Sequence, residues 1–380
     1  MASSQIGLLE CVKRGMRLVL SGQTIISVSS SAHVNRNTLA KYLQAYPGIT
    51  SYALKDVQLI SSGRPPYLSD VSMEALKLFS LALDFCDYPI SKATVQEAIH
   101  NLKKRENSSS EPEPPCKKTV RKIIKELQIP VRSLQKGVSI DACHGTKANE
   151  QYLGDYFEKL ENHLQKYQVS ASNIFNCDEV GVQMSQFGFQ FLSSCETICG
   201  NLSNDHVSVL ITTCADGSIL PPYLLFPGED SSVVPTFIEE NKEIIWGTFS
   251  KAGWMDAERF QVYTLNLLRE LKERSEMCDF SLPLTEYHFL LVDGHNSCLE
   301  PSTLFNCAVN CLLVLCGPSN LTNAWQPNDA GVNKSFKENL NKIVAKHVEA
   351  HQQFSSSDVS ALVIHALQES NMRRSIINSF

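Results

Sequence analysis

The sequence of 380 residues predicts an α+β multidomain protein, with an all-helical N-terminal part followed by a layered α/β domain. Two observations lead to this expectation. Apolar residues recur at helical spacing through most of the first 170 residues, with capping and turn residues between the runs. From residue 173 onward, short β-prone apolar runs precede amphipathic helical segments, as in a sheet that is covered by helices.

The first fifty residues predict three short helices, over residues 6–20, 24–32 and 38–43. A helix, a tight turn and a second helix form the arrangement that places the second helix in the major groove of DNA. Near the start of that second helix, several polar side chains are candidates for contacts with base edges or phosphates: Asn35, Arg36, Asn37, Thr38 and Lys41. A plain three-helix structural domain fits the same pattern equally well.

A second helical region is predicted over residues 61–138. It opens with the string GRPPYLSD, in which Ser69 is a good N-cap for a helix over residues 71–85. Further helices are expected over residues 92–102 and 119–128. Five basic residues of this region are candidates for DNA contacts: Arg64, Lys117, Lys118, Arg121 and Lys122.

The loop over residues 103–118 is rich in Ser, Glu and Pro and lies between two basic clusters. The clusters have the spacing of a bipartite nuclear-import signal, although such runs are more often solvated surface. We therefore expect a nuclear protein. The charge distribution agrees, because residues 1–138 hold 19 Lys and Arg against 11 Asp and Glu, whereas residues 139–380 hold 15 against 29. This suggests a first half that meets a polyanion and a second half that holds cations.

The thirteen cysteines indicate reduced thiols in an intracellular protein, since the chain starts without a secretory signal. No apolar run approaches the length needed to span a bilayer, so no membrane association is expected. Two groups of cysteines suggest zinc at first sight, but they lack a second pair at finger or ribbon spacing. Buried thiols are the better interpretation for these cysteines: Cys195, Cys199, Cys307, Cys311 and Cys316.

After a connector with a helix over residues 151–167, the α/β domain is predicted from about residue 172. We expect strands over residues 173–177, 207–214, 220–226, 288–292 and 312–315, and helices over residues 255–274 and 330–349. Residues 215–218 form a turn between two of the strands.

Three aspartates stand where predicted strands or helices meet loops. They are Asp178 in NIFNCDEVG, Asp293 in HFLLVDGHN and Asp329 in WQPNDAGV, and 35 residues separate the last two. Strand ends and helix starts gather along one edge of an α/β sheet. Each aspartate taken singly fits a cap or a turn. Together they predict a site for Mg²⁺ or Mn²⁺ that acts on phosphodiesters, since such ions take oxygen ligands from a few carboxylates.

The chain resembles the pogo/Tigger-type transposases, a branch of the mariner superfamily. The resemblance rests on NIFNCDEVGV, VSVLITTCADGSILPPYLLFPG, GWMDAERFQVYTLNLL, HFLLVDGHNSCL and AWQPNDAGVNKSFK. GRPPYLSDVSMEALKLF resembles the start of the helix-turn-helix region of centromere protein B, and the first helix-turn-helix resembles the pipsqueak type. Several positions depart from the family's pattern, and Asn323-Ala324-Trp325 replaces a stretch of the threonine–histidine–leucine type. Cys298 replaces a histidine, and Asn328 replaces an apolar residue.

The resemblance implies a ribonuclease-H-like DDE endonuclease domain over residues 172–380, after a pipsqueak-like unit over residues 1–50, a centromere-protein-B-like unit over residues 61–138 and a connector over residues 139–171. The last residues, RRSIINSF, end before the family's usual continuation, so we expect a C-terminal truncation. By resemblance, Asp178, Asp293 and Asp329 are the catalytic residues and metal ligands. Glu179 and His295 would tune them from the second shell or, alternatively, serve local capping and packing.

The implied function is DNA cleavage and strand transfer that depend on Mg²⁺ or Mn²⁺. The implied partners are double-stranded DNA and a second copy of the chain, without a small-molecule substrate. The alternative is a domesticated, catalytically silent protein that binds DNA in a regulatory role. A cytosolic α/β protein with an unrelated helical domain is the least favoured interpretation, because three ordered motifs would then coincide.

Overall fold

The computed structural model describes eleven stretches of the chain, namely residues 2–46, 54, 66–86, 90–107, 111–129, 146–183, 206–228, 236–293, 300–318, 321–349 and 356–380. The chain divides into two compact units, Met1–Tyr67 and Leu68–Phe380. No helix in these stretches is long and apolar enough to cross a membrane.

The first unit is a bundle of three helices, α1 (Ala2–Leu20), α2 (Ile25–Ser31) and α3 (Arg36–Ala45). The expected helix, turn and helix are therefore present. Thr24 caps α2 by accepting a hydrogen bond from the Ser27 N–H, and Asn35 caps α3 by accepting one from the Asn37 N–H. The core of the bundle consists of apolar side chains from the three helices, from the connection between α2 and α3, and from Leu54: Val12, Met16, Val28, Ala32, Val34, Leu39, Tyr42 and Leu54.

The second unit begins with four helices, α4 (Asp70–Phe85), α5 (Lys92–Glu106), α6 (Lys117–Leu127) and α7 (Thr146–Tyr167). The N-cap predicted at Ser69 is confirmed, because its hydroxyl accepts a hydrogen bond from the Ser72 N–H at 3.2 Å. Helix α6 buries Val120 and Ile123, and its basic residues lie on the exposed side.

A six-stranded sheet forms the centre of the second unit. Along the chain its elements are β1 (Ile174–Gln183), β2 (His206–Cys214), β3 (Tyr223–Pro227), α8 (Thr236–Glu240), β4 (Trp246–Ser250), α9 (Ala257–Arg274), β5 (His288–Val292), α10 (Pro301–Val309) and β6 (Leu312–Cys316). The remainder is helical, with α11 (Thr322–Trp325), a π-helical segment over Asn328–Val332, α12 (Asn333–Glu349), α13 (Ser356–Gln368) and α14 (Asn371–Ser379).

The strand order is β4-β3-β2-β1-β5-β6. Strand β2 runs antiparallel to both of its neighbours, and the other pairs are parallel. All strands except β2 therefore point in one direction, and their carboxyl ends lie at one edge, which we call the carboxyl edge. The order β3-β2-β1-β5-β6, with its antiparallel start and parallel finish, is the ribonuclease-H-like arrangement, and the α/β expectation is confirmed. Strand β4 is an additional edge strand that the sequence patterns missed.

Side chains alternate between the two faces of the sheet, as a strand requires. One face packs against α12, α13 and α14 through an apolar core that includes Val180, Ile211 and Phe336. On the other face lies α9, whose buried Tyr263 hydroxyl is 2.7 Å from the Thr212 hydroxyl. The sheet is thus covered on both sides, which holds its carboxyl edge rigid.

Helix α4 packs against this sheet layer. The rings of Phe79 in α4 and Phe305 in α10 meet edge to face at 5.4 Å, and the thiols of Cys86 and Cys316 lie 2.9 Å apart. The helices of residues 70–106 thus fall in the same compact unit as the sheet. The domain boundaries proposed from the sequence stay predictions.

Gly317, directly after β6, makes room for the indole ring of Trp325. A β-carbon at Gly317 would overlap that ring. The indole N–H of Trp325 donates to the Pro318 carbonyl at 3.0 Å, and the ring packs on Tyr156 of α7. The glycine therefore fixes the start of the segment that leads to Asp329.

Gly317→Ala is expected to lower the free energy of unfolding by about 1–3 kcal/mol, because the added methyl group overpacks a filled site. Gly154→Ala is the matched control. Gly154 lies in α7 with open space around it, so alanine should stabilise its helix by roughly 0.5–1 kcal/mol. Urea denaturation followed by circular dichroism measures both effects, and equal midpoints for the two variants would contradict the prediction.

Candidate active site

Asp178 and Asp293 lie side by side on neighbouring parallel strands. Asp178 was expected at the end of a strand but lies in the middle of β1, because pairing with β2 extends β1 to Gln183. Asp293 follows the last residue of β5, as expected. The register pairs Asn176 with Leu291, so that each aspartate stands two residues further along its own strand. Both side chains are half-buried. The structure therefore brings together two aspartates that are 115 residues apart in the sequence.

Asp329 joins them from the π-helical segment ahead of α12. The side-chain amide of Asn333, at the first position of α12, donates to Asp178 Oδ2 at 2.6 Å and to Asp329 Oδ1 at 3.1 Å. One amide group thus binds two of the three carboxylates. Asn333 was not predicted as a site residue. It follows Asp329 by four residues, and this spacing puts both side chains on one side of a helical segment.

A buried polar network docks the π-helical segment onto the sheet. The backbone N–H of Asn328 donates to Asn176 Oδ1 at 2.8 Å, and the Asn328 side-chain amide donates to the Ile211 carbonyl at 2.8 Å. The Thr213 hydroxyl donates to Asn328 Oδ1 at 2.6 Å. Asn176 in turn donates to the Leu291 carbonyl of β5 at 2.9 Å. These side chains are fully buried, and their hydrogen bonds offset the cost of desolvation.

The network explains why a polar residue stands at Asn328, where the resembled family has an apolar one. Asn176 supplies the matching polar group on β1, two residues before Asp178 and on the same face of the strand. The sequence analysis did not identify this network, although an asparagine between apolar neighbours in a β-prone run is a signal that could have indicated it.

Burial and the neighbouring carboxylates of Asp329 and Asp293 raise the pKa of Asp178 to about 7, although the hydrogen bond from Asn333 opposes the shift. The ionised form of Asp178 therefore destabilises the folded, metal-free protein. A cation beside these carboxylates would relieve that destabilisation.

Oxygen donors of this kind suit Mg²⁺ or Mn²⁺. Over the described ranges, however, no group of three or more His, Cys, Asp and Glu side chains already has the arrangement of a metal site. The carboxylates fit the charge and the ligand preference of a divalent cation. Among the cysteines expected to be buried thiols, Cys307 and Cys316 are buried, Cys311 is half-buried, and Cys195 and Cys199 lie outside the described residues.

Glu179 does not join the three aspartates. It follows Asp178 in β1, so its side chain lies on the opposite face, where its carboxylate accepts a hydrogen bond from the Met255 N–H at 3.3 Å. Of the two roles that the sequence analysis left open for Glu179, this contact supports local capping. His295, Cys298 and Arg64 lie outside the described residues.

The DNA-contact candidates of the first unit lie at the start of α3. Arg36, Asn37 and Lys41 are exposed, and Thr38 is half-buried. Asn35 is exposed too, but its side chain caps the helix. In the second unit, the candidates of α6 share one exposed face: Lys117, Lys118, Arg121 and Lys122. Both sets are open to solvent, as contact with phosphates requires.

The C-terminal helix α14 supports the segment that carries Asp329. The hydroxyls of Ser335 and Ser375 lie 2.6 Å apart, and Asn339 exchanges hydrogen bonds with Asn371. A β-carbon at Gly331 would approach the Ser379 hydroxyl to 2.9 Å, so glycine allows the close packing of α14.

The region that contains the second and third aspartates matches a known protein family. Residues 204–376 match the family described as DDE superfamily endonuclease. Asp178 precedes the matched residues. None of the curated proteins matches the chain.

Solved structures of the Mos1 mariner transposase are similar to the chain at low sequence identity. A Mos1 paired-end complex with the left transposon end is 12% identical, with a TM-score of 0.34 over 97% of this chain and 98% of that chain. A Mos1 mariner paired-end complex with Mn is 16% identical, with a TM-score of 0.37 over 96% and 94%. The Mos1 catalytic domain is 16% identical, with a TM-score of 0.35 over 60% and 88%. The fold is therefore assigned from the strand order and not from these similarities.

Asp178→Asn is expected to raise the free energy of unfolding of the metal-free protein by about 1–3 kcal/mol at pH 8. The folded pKa of about 7 lies above the ordinary value of 3.8, so the folded state holds a proton that the unfolded state has lost between these values. Stability is therefore lost as the pH rises through 7, and the variant avoids this loss. The two proteins should converge near pH 4, which urea denaturation across the pH range measures.

Asp216→Asn is the control of opposite sign. Although burial opposes the shift, hydrogen bonds from Ser218 lower the pKa of Asp216, so its charged form stabilises the fold. This variant should be less stable than the wild type above neutral pH. A stability difference for Asp178→Asn that does not change with pH would contradict the interpretation of the site.

Proposed function

We propose that the second unit is a metal-dependent DNA endonuclease of the transposase type, which cuts DNA strands and joins them to a target. The observation that carries the proposal is the convergence of Asp178, Asp293 and Asp329 at the carboxyl edge of a ribonuclease-H-like sheet. The family match supports it, because the matched residues include two of the three aspartates.

In this proposal the three aspartates would hold Mg²⁺ or Mn²⁺, which supplies Lewis-acid activation of the attacking oxygen and charge stabilisation of the leaving oxygen. The part of the protein is to position the carboxylates. Asn333 binds Asp178 and Asp329, and the network at Asn328 fixes the height of Asp329 above the sheet. In the first step water would attack the phosphorus of a phosphodiester and break its bond to the 3′-oxygen, which leaves a 5′-phosphate and a free 3′-hydroxyl. In the second step that 3′-hydroxyl would attack a phosphodiester of target DNA and displace the 3′-oxygen of the target strand.

The helical parts would bind double-stranded DNA. The exposed polar start of α3 suits base edges and phosphates, and the basic face of α6 suits phosphates. Joining two DNA ends requires that both be held together, so we propose a homodimer as the working form. The basic clusters on either side of residues 107–116 support a nuclear location as part of the same proposal.

A silent DNA-binding protein is the second candidate, and one contact favours it. The Asn333 amide donates to two carboxylates at once, which satisfies part of their negative charge without a metal ion. A protein that had lost its chemistry would keep this arrangement as a structural hydrogen bond.

Calorimetric titration of the full chain with MnCl₂, alone and with duplex DNA, separates the two candidates. The wild type should bind Mn²⁺, and Asp293→Asn should bind at least tenfold more weakly, because one of three carboxylates loses its charge. Asp279→Asn is the matched control, since Asp279 is exposed and its carboxylate accepts hydrogen bonds from Ser281. Nicking of a supercoiled plasmid should follow the same order.

Absence of Mn²⁺ binding both with and without DNA would overturn the enzymatic proposal in favour of the silent protein. Equal binding by wild type and Asp293→Asn would show that the metal site lies elsewhere.

Arg36→Ala is expected to weaken duplex binding several-fold and to reduce the salt dependence of binding by about one counterion, since one phosphate or base contact is lost. Arg269→Ala, which removes an exposed arginine of α9 bonded to Asn266, is the control for the change in net charge. Gel-shift titration at two salt concentrations measures both variants. Unchanged affinity in Arg36→Ala would count against α3 as the DNA-reading helix.

A further inference from the structure

An exposed tryptophan lies at the carboxyl edge of the sheet. Trp254 belongs to the loop of residues 251–256 between β4 and α9, and 52% of its surface is exposed. The loop leaves β4 at its carboxyl end, and Met255, the residue after Trp254, contacts Glu179 of β1, which is the residue next to Asp178. Lys251, which is also exposed, lies in the same loop. An exposed aromatic ring beside a cation is the combination with which proteins hold single-stranded nucleic acid.

The loop is held in place on both sides of the tryptophan. The Ser250 hydroxyl donates to the Trp254 carbonyl at 2.7 Å, and the Met255 N–H donates to the Glu179 carboxylate. Asp256 then caps α9 by accepting a hydrogen bond from the Arg259 N–H at 2.9 Å. Gly253 has a φ of 70°, in the left-handed region, which allows the chain to turn before Trp254. Trp254 is thus a surface aromatic on a fixed backbone.

Glu179 connects this loop to the aspartate site. It is the residue next to Asp178 in β1, and successive side chains of a strand leave on opposite faces. The same strand therefore presents the Asp178 carboxylate on one face and holds the Trp254 loop on the other. Because one glutamate side chain bridges the loop and β1, the Trp254 backbone lies roughly 10 Å from the β1 backbone. This distance equals about three nucleotide steps along a DNA strand.

We infer that Trp254 stacks on an unpaired base of the DNA strand next to the phosphodiester that is cut, with Lys251 against a neighbouring phosphate and Glu179 as the positioning residue of the loop. This inference rests on the proposed function, because it takes the aspartate site as the place of cleavage. Stacking on a base needs no particular sequence, since every base has an aromatic face.

The tryptophans make the inference measurable by fluorescence. The chain has three of them, and Trp246 and Trp325 are 5% and 6% exposed. Quenching of the intrinsic emission by a bound base therefore reports on Trp254. The full-length protein is titrated with an oligonucleotide of twenty thymidines and with a duplex that ends in a single-stranded overhang. We expect quenching by both, and a much smaller effect from a blunt duplex.

Trp254→Ala should bind the thymidine oligonucleotide about tenfold more weakly, and Trp254→Phe should recover part of the loss because its ring still stacks. Glu179→Ala should lower the quenching, since the loop loses its link to β1. Phe280→Ala is the matched control. Phe280 is 48% exposed, lies in the loop that precedes β5 and therefore away from the carboxyl edge, and should leave binding unchanged.

The outcomes separate this inference from the proposed function. If the wild type nicks plasmid with Mn²⁺ but shows neither quenching nor a loss in Trp254→Ala, the stacking role is overturned and the enzymatic proposal stands. If quenching and the loss in Trp254→Ala occur without Mn²⁺ binding or nicking, Trp254 binds single-stranded DNA, but the enzymatic proposal fails and with it the placement of Trp254 beside a cleaved phosphodiester. A change in oligomeric state in Trp254→Ala, with DNA binding intact, would show that Trp254 contacts a second protein chain instead.

Discussion

The docking of the Asp329 segment onto the sheet by Asn328 is the interaction on which the rest of the site depends. Asn328 satisfies groups from two strands, namely Asn176 on β1 and both the Thr213 hydroxyl and the Ile211 carbonyl on β2. Asn176 in turn bonds the Leu291 carbonyl of β5. Because these groups are buried, removing one partner leaves others unsatisfied, which costs far more than a single hydrogen bond contributes. The network therefore gives the segment one position on the sheet, whereas an apolar contact would tolerate sliding.

The same position sets the electrostatics of the site. With Asp329 fixed above β1 and Asp293 on the neighbouring strand, Asp178 experiences two like charges and partial burial, which explain its raised pKa. Sites that concentrate like charges in this way are costly for stability and are found where a ligand or a reaction uses the charge. The stability cost at Asp178 and the proposed affinity for a divalent cation are two consequences of one arrangement.

The sequence predicted most of the fold because its local signals agreed with the tertiary packing. The limits of β5 follow from an uninterrupted apolar run, and the Ser69 cap follows from one residue type at one position. Strand β4 was missed because WGTFS is short, contains glycine and lies at the sheet edge with a mixed burial pattern. Its pairing with β3 depends on residues about twenty positions away, which no local pattern contains.

The three aspartates of the site could be predicted from their sequence motifs, but the residues that surround them could not. Asn333 and Asn176 act through contacts that span more than 110 residues. The resemblance grouped Glu179 with the site because Glu179 follows Asp178 in the string NIFNCDEVGV. Strand alternation, which was available from the sequence, already places the neighbours Asp178 and Glu179 on opposite faces.

The parallel strands also decide how this molecule acquires its site during folding. Asp178, Asp293 and Asp329 come from strands and a helix that meet only after the sheet has closed between β1 and β5, so the site belongs to no fragment of the unit. Contacts of such long sequence separation form late and slowly, since the chain must first give up the entropy of large loops. A nascent or partly unfolded chain therefore forms its N-terminal helices, which are local structures, before it brings the three aspartates together.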